Sequence, residues 1–354
     1  MNKRILLFVM LIGIIINTAA DVSINNNFYA GYTSNIYKNK SELNDNYAGD
    51  NLTIFYNNEA FSIDSYFEYL RYFDYKYGNY IYFNIEPRYI VPLSLKSDLI
   101  FKAGINNYLY PNDKYMNNYD YILETTYKYD TLFSLRNLLT LKYRENTFPQ
   151  NNLDFNEVSI SDSLYYYVNL ETVLNFYMNY TIVYWEERKL YLDPDTISNK
   201  TPKDSKIESK IDLEYIFNNI FISNFIVRFE KQNSDLNSVI QIDENTEKFE
   251  KDIYSYNVLE LANIINILYE NWTLEIENNY LFKKYDERKI FYPDGTIGDE
   301  TVYNNIYSIN VFVEKQVSTN AGINLNFYFE NNNSNDYYLD GEGFDIEGGI
   351  YYQF

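Results

Sequence analysis

Apolar and polar residues alternate with a period of two along most of the chain. In residues 344–354 one face carries Phe, Ile and Tyr with a single Gly, and the other face carries mainly acidic residues, Gly and Gln. Residues 132–144, 206–217 and 319–330 alternate in the same way. Because successive side chains of a β-strand point to opposite faces, the pattern predicts antiparallel strands with one apolar and one polar face.

Short turns alternate with longer polar loops between these strands. The short turns include Asn57–Glu59, Asp130–Thr131, Asn218–Asn219 and Glu270–Asn271. The longer loops include Lys38–Asp50, Pro111–Asn118, Asn146–Asp154, Asp193–Ser205, Gln232–Asp252, Glu287–Glu300 and Asn331–Glu342. A sheet in lipid must close on itself to pair every backbone amide. The rhythm therefore predicts an all-β fold, a transmembrane antiparallel β-barrel of 16 strands, with 14 as the alternative.

An internal repeat supports this segmentation. Residues 187–197, beginning Glu-Arg-Lys-Leu-Tyr, resemble residues 287–297, beginning Glu-Arg-Lys-Ile-Phe, and both contain Pro and Asp. A weaker form recurs at Tyr110–Asn112 and Phe148–Gln150. Proline cannot donate to a strand ladder and Asx residues favour turns, so these motifs predict exits from strands into loops on one side of the barrel.

The first twenty residues have the layout of a secretory signal peptide. Lys3 and Arg4 precede an apolar run from Ile5 to Ile16, and small residues follow up to Ala20. The run is shorter than the ~20 residues that a helix needs to cross a bilayer. We predict cleavage after Ala20, which leaves residues 21–354 as a single barrel domain. The alternative is an uncleaved N-terminal anchor helix.

The chain ends on Phe354, at the end of an alternating strand. Together with the signal peptide and the strand pattern, this resembles the bacterial outer-membrane β-barrel proteins, a porin-like class, without matching one family of it. The resemblance implies a location in the outer membrane, contact with its lipid, and recognition of the terminal strand by the barrel-assembly machinery. The many tyrosines are expected to form aromatic girdles at the membrane interfaces. A soluble secreted β-sandwich or solenoid is the alternative.

Composition removes several kinds of chemistry. The 354 residues include no His and no Cys, so Ser-His and Cys-His nucleophile pairs and thiolate or histidine metal sites are excluded. The net charge of −21 argues against nucleic-acid binding, which needs clustered Lys and Arg. We expect no enzyme, no cofactor and no metal. Catalysis by a carboxylate pair at the rim of the barrel is the remaining enzymatic hypothesis.

Polar residues that alternate with apolar ones are expected to face the lumen, and eight charged ones are predicted to line a channel. They are Lys102, Arg136, Lys142, Arg144, Asp212, Glu214, Glu275 and Glu277. The bases lie in the first half of the sequence and the acids in the second, so they could form opposed walls with a transverse field. The alternative for each residue is an ion pair with a neighbouring strand.

These features predict a porin-like channel for passive diffusion of small hydrophilic solutes and ions, with cations preferred because the chain is acidic. The alternative is a non-conducting surface barrel, such as an adhesin or an antigenic scaffold. A homotrimer is a further expectation. The third outer loop, Pro111–Asn118, is short and the sixth, Gln232–Asp252, is the longest, so the inward-folded third loop typical of general porins is not expected here.

Overall fold

The computed structural model contains a closed antiparallel barrel of 16 strands. It describes residues 21–36, 43–58, 60–131, 134–150, 153–186, 188, 190–191, 196–218, 220–243, 246–250, 253–294 and 296–354. The predicted signal peptide, residues 1–20, lies outside the described residues. Within the described part of the chain, no helix is long and apolar enough to cross a bilayer.

The barrel strands occur in chain order, and two small hairpins are inserted in the loops. The strands are β1 (Asp21–Thr33), β2 (Asp45–Asn57), β3 (Phe61–Tyr72), β4 (Tyr80–Ser94), β5 (Ser97–Leu109), β6 (Asn118–Thr131), β7 (Leu135–Thr147), β8 (Phe155–Tyr167), β9 (Thr172–Trp185), β12 (Lys203–Ile216), β13 (Phe221–Ser234), β16 (Tyr256–Tyr269), β17 (Trp272–Phe291), β18 (Ile297–Ser318), β19 (Ala321–Ser334) and β20 (Gly341–Gln353), with loop hairpins β10 (Leu190–Tyr191) with β11 (Ile197–Ser198), and β14 (Ser238–Asp243) with β15 (Thr246–Glu250). Single turns of 3-10 helix lie at Lys76–Gly78 and Lys114–Met116.

Each barrel strand pairs with the next one, and β1 pairs with β20 to close the sheet. The longer loops gather at one end of the barrel, here called the outer end, and the shorter turns at the other, the turn end. The sequence prediction of 16 antiparallel strands is therefore confirmed. Both Asp21 and Phe354 lie at the turn end, where the Phe354 amide donates to the Ile24 carbonyl at 2.8 Å.

The outside of the barrel is apolar. Phe28, Leu141 and Met178 point outward and are 61%, 57% and 62% exposed. Exposed side chains of this kind follow one another around the wall at alternate strand positions, which is the surface that a hydrocarbon environment accepts. The polar residues between them face the interior. The binary pattern of the sequence is thus satisfied by lipid outside and water inside.

The internal repeat encodes the same hairpin twice. In the first copy Tyr191 pairs with Ile197, and in the second copy Phe291 pairs with Ile297. These positions are equivalent in the two sequence motifs. The described residues of the two copies therefore pair at equivalent positions at the outer end, and Pro194 of the first copy lies outside the described residues.

Strands β17 and β18 continue past the barrel rim as a projecting hairpin. Val302 is fully buried there and packs with Ile290 and Tyr285, against Leu339 of the last outer loop. That loop is fixed by Asp336, which is also fully buried. One Asp336 carboxylate oxygen accepts the Phe291 amide at 3.1 Å and the other accepts the Tyr338 amide at 3.0 Å.

Replacing Asp336 with alanine is expected to loosen the projecting hairpin without unfolding the barrel. Two backbone donors lose their acceptor in a buried place, at a cost of about 1–3 kcal/mol. Amide hydrogen exchange should accelerate in residues 286–303 and 335–340 and stay unchanged in β6 to β8. Uniform acceleration over all strands would contradict this. Asp294→Ala is the matched control, because that exposed carboxylate accepts from Thr296 within its own turn.

Candidate functional site

The candidate site is the polar lumen. The strand registers place one residue in two on the inward face, and its charged side chains remain partly accessible to water. Arg88 and Asp64 are 43% and 42% exposed, although both lie inside the closed wall. Lys102 is 32% exposed. Side chains packed in a dry core would have lost this exposure, so the lumen is open to water at these positions.

All eight sequence-predicted residues lie on the inward face by register. Four of the bases and one of the acids are in ion pairs. Lys102 lies 2.8 Å from Glu86, Arg136 2.8 Å from Asp130, Lys142 3.6 Å from Glu157, Arg144 2.8 Å from Asp120, and Asp212 3.6 Å from Lys210. Glu214, Glu275 and Glu277 have no ion pair among the described residues. All four predicted bases are therefore in ion pairs with carboxylates on adjacent strands.

The separation of the two signs into opposed walls is wrong. Inward acids such as Glu86 and Glu124 stand beside the bases of the first half, on β4 and β6. Inward bases Lys206, Lys210 and Arg228 stand beside the acids of the second half. The physical reason is that a base held in a partly desolvated wall is stabilised by a carboxylate on the neighbouring strand. We call the inward face of β4–β9, β12, β13 and β16 the paired arc.

Arg228 is the centre of the densest cluster of this arc. Its guanidinium lies 2.5 Å from Glu260, 3.1 Å from Glu230 and 3.8 Å from Glu208. Glu230 also accepts the hydroxyl of Tyr256 at 2.8 Å. One base on β13 thus holds together carboxylates from β12, β13 and β16. Arg228 itself is 27% exposed, so the cluster borders the water of the lumen.

The wall from β18 through β20 and β1 to β3 differs from the paired arc. Strand β17 lies between the two arcs and carries Lys283 as well as Glu275 and Glu277 on its inward face. The inward face of β18–β20 and β1–β3, here called the carboxylate arc, carries acids but no Lys or Arg over the full length of these described strands. Its acids are Asp21, Asp45, Asp64, Glu68, Glu314, Glu330, Asp345 and Glu347. Tyrosine hydroxyls donate to four of them: Tyr29 to Glu68 at 2.6 Å, Tyr47 to Glu347 at 3.3 Å, Tyr328 to Glu330 at 2.5 Å and Tyr351 to Glu314 at 2.9 Å.

Neutral donors leave the charge of this arc in place. A tyrosine hydroxyl satisfies an acceptor oxygen of the carboxylate without adding a compensating positive charge. The carboxylate arc therefore has a net negative charge along one side of the lumen, whereas the paired arc is largely compensated. The charge of the wall is therefore asymmetric across the lumen.

Several of these tyrosines lie flat against the wall because a glycine stands opposite. Tyr29 pairs with Gly49, and Gly31 pairs with Tyr47 on the same two strands. A Cβ on Gly49 would lie 2.3 Å from the Tyr29 ring, and one on Gly31 would lie 2.6 Å from the Tyr47 ring. Gly322 and Tyr351 form the same couple on β19 and β20. Because these glycines have no side chains, the tyrosine rings can occupy the space above them.

Sequence reasoning missed the carboxylate arc and the Arg228 cluster. Glu68 is flanked by Phe67 and Tyr69, and Tyr66 and Leu70 lie on its own face, so the apolar–polar alternation is blurred there. The local alternation was the available signal, because Glu68 stands between Phe67 and Tyr69, whose side chains are exposed on the outside of the barrel. Within the described residues, no group of three acidic side chains is placed to hold a metal ion.

Comparisons with known proteins agree with this architecture. No protein-family model matches the sequence, and no curated protein matches it. Among solved structures, OccAB3 of Acinetobacter baumannii aligns with 94% of this chain and 100% of its own, at 8% identity and a TM-score of 0.53. OprD of Pseudomonas aeruginosa aligns with 94% of this chain and 95% of its own, at 9% identity and a TM-score of 0.50.

A third similar structure is OccAB2 of Acinetobacter baumannii, with 95% of this chain and 98% of its own aligned, 10% identity and a TM-score of 0.50. Identities this low establish a shared fold and not a shared substrate. Nearly the whole of each chain takes part in the alignment, so the likeness covers the complete barrel. The chain therefore has the fold of the bacterial outer-membrane β-barrels.

Proposed function

We propose that the protein is a porin-like channel of the bacterial outer membrane that admits small hydrophilic solutes and ions by passive diffusion and prefers cations. One observation carries the proposal: charged side chains inside a closed, externally apolar barrel keep up to 43% of their surface exposed. A wall of this kind encloses water. The channel needs neither a cofactor nor a catalytic group, and its selectivity comes from lumen width and wall charge.

Cation preference follows from the two arcs. A solute on the side of the paired arc meets ion pairs whose fields largely cancel within a few ångströms. A solute on the side of the carboxylate arc meets acids of which four accept tyrosine hydroxyls, and Asp64 at the edge of the arc lies 3.8 Å from Arg88. The mean potential of the lumen is therefore negative, and cations are concentrated relative to anions. The unpaired Glu275 and Glu277 on β17 extend this side of the wall.

The test is the conductance of the purified protein in a planar bilayer with a KCl gradient across it. We expect stable steps and a reversal potential that reports roughly threefold or greater preference for potassium over chloride. The double variant Glu277→Gln, Glu330→Gln should move the reversal potential towards zero. Asp50→Asn is the matched control, because this carboxylate points outward beside Asn26 and its removal should leave the potential unchanged.

Either of two results would contradict the proposal. A folded barrel that gives no steps would not be a diffusion channel. A preference for chloride would show that the lumen potential is set by the bases of the paired arc. In that second case Arg136, Lys142 and Arg144 become the residues to neutralise.

A non-conducting surface scaffold is the second candidate, and the projecting hairpin is the observation that favours it. Its buried Val302 and Ile290 give the outer end a packed apolar cluster that diffusion through the lumen does not require. An ordered projection of this kind suits a surface that other molecules contact. The scaffold would show no conductance in the same bilayer experiment.

A further inference from the structure

A recess with tyrosine walls lies in the carboxylate arc towards the outer end of the barrel. It has a volume of about 290 Å³, near the lower end of the range for pockets that hold small organic ligands. Its lining comes from β20, β1, β2, β3 and β4 and from the first outer loop, and it includes Tyr29, Tyr47, Glu68, Tyr72, Asp345 and Glu347. Five neighbouring strands and the first outer loop thus contribute to one small space.

The aromatic walls are held in fixed positions. The rings of Tyr29 and Tyr47 are 6.5 Å apart and meet edge to face, and the rings of Tyr47 and Tyr72 are 5.7 Å apart. Tyr29 is only 8% exposed, and its hydroxyl is anchored on Glu68. Gly49 and Gly31 leave the room that these rings occupy. The rings are therefore held in place by contacts within the wall.

Two carboxylates of the recess have neutral partners. Glu68 and Glu347 line it, and no Lys or Arg is among the described residues that do so. The donors to Glu68 and Glu347 are the neutral hydroxyls of Tyr29 and Tyr47. Aromatic ring faces and carboxylates attract the same kind of ligand, a cation that gives up its hydration easily.

We infer that this recess binds the ammonium head of a small organic cation as the cation passes through the lumen, and the inference rests on the proposed channel. The aromatic faces select an organic ammonium group over an alkali ion, because cation–π attraction acts at a weakly hydrated surface. The carboxylates supply the long-range part of the attraction. The recess is then a site on the wall of the channel that a cation occupies transiently.

The first measurement is calorimetric titration of the detergent-purified protein with choline and with dimethylbutanol, the uncharged carbon analogue of choline. Choline should bind saturably, and the neutral analogue should bind at least roughly tenfold more weakly. Glu68→Gln should weaken choline binding by roughly tenfold. Glu314→Gln is the matched control, since Glu314 also accepts a tyrosine hydroxyl but lies near the turn end of the same arc.

The ring is tested separately at Tyr72. Tyr72→Leu should weaken choline binding several-fold, whereas Tyr72→Phe keeps the ring face and should bind as the parent does. The heat-dependent electrophoretic shift of each variant checks that the barrel has folded. Equal binding of choline and dimethylbutanol, or equal weakening by Glu68→Gln and Glu314→Gln, would overturn the inference.

The failure of the recess and the failure of the channel are distinguishable. A protein that conducts potassium but does not bind choline would contradict the proposed recess site and agree with the proposed channel. A protein that binds choline through Glu68 but shows no conductance steps would contradict the proposed channel. The recess would then be a ligand site of a non-conducting barrel. In the conducting protein, choline should also cause brief current interruptions that Glu68→Gln shortens.

Discussion

Gly49→Ala is expected to lower the free energy of unfolding by about 2–3 kcal/mol, which is large for the addition of one methyl group. The new Cβ would lie 2.3 Å from the Tyr29 ring, so the ring must leave the wall. The Tyr29 hydroxyl then no longer donates to Glu68, and this carboxylate inside the barrel accepts one hydrogen bond fewer. Urea titration of the protein in lipid vesicles, followed by Trp fluorescence, measures the change.

Gly104→Ala is the control for this prediction. Gly104 is also on the inward face of the barrel, but an added Cβ would lie 3.4 Å from the Ile122 and Glu86 side chains, an ordinary contact. Its unfolding free energy should change by less than about 0.5 kcal/mol. If the two variants were equally destabilised, a general intolerance of β-carbons at lumen glycines would be the explanation, and the ring contact would not.

Arg228→Met is expected to destabilise the barrel by about 2 kcal/mol and to increase its preference for cations. The substitution leaves Glu208, Glu230 and Glu260 close together without their shared base. Breaking a buried ion-pair network costs about 3–5 kcal/mol, and the water of the lumen reduces this. The same urea titration gives the stability, and the reversal potential in a KCl gradient gives the selectivity.

Arg88→Met provides the comparison. Among the described residues Arg88 has one ion-pair partner, Asp64, at 3.8 Å, and both side chains are more than two-fifths exposed. A pair of that kind contributes about 0–1 kcal/mol, so its loss should be barely measurable in unfolding. A larger destabilisation by Arg88→Met than by Arg228→Met would show that the cluster around Arg228 is not a stabilising network.

Strand number, sheet closure and the inward face of the eight charged residues could all be predicted from the sequence. A period of two is a strong signal where aliphatic residues alternate with charged ones, as in β7 and β12. What could not be predicted is the partner of each charge, because pairing depends on the register between strands, and a one-residue slip inverts a face. The role of these residues in conduction stays a prediction, as do the signal peptide, the aromatic girdles, the trimer and the assembly machinery.

The carboxylate arc escaped prediction for a different reason. Tyrosine occurs on both faces of its strands: Tyr69 is exposed outside, whereas Tyr66 and Tyr72 face inward. A ring with a hydroxyl suits an interface with lipid and equally suits a wet wall, so it carries little information about which face is which. Where tyrosine is this frequent, the two faces of a strand can be told apart only from its pairing with the neighbouring strands.

The two tyrosine–glycine couples between β1 and β2 also act as a check on strand alignment. A slip of two residues keeps every apolar side chain outside, so hydrophobicity alone does not reject it. In the native register Tyr29 meets Gly49 and Tyr47 meets Gly31. A slip of two in one direction would set Tyr29 against Tyr47, and in the other direction Gly31 against Gly49. Either error replaces a ring seated on a glycine with a clash or a void, at the strand whose pairing with β20 closes the barrel.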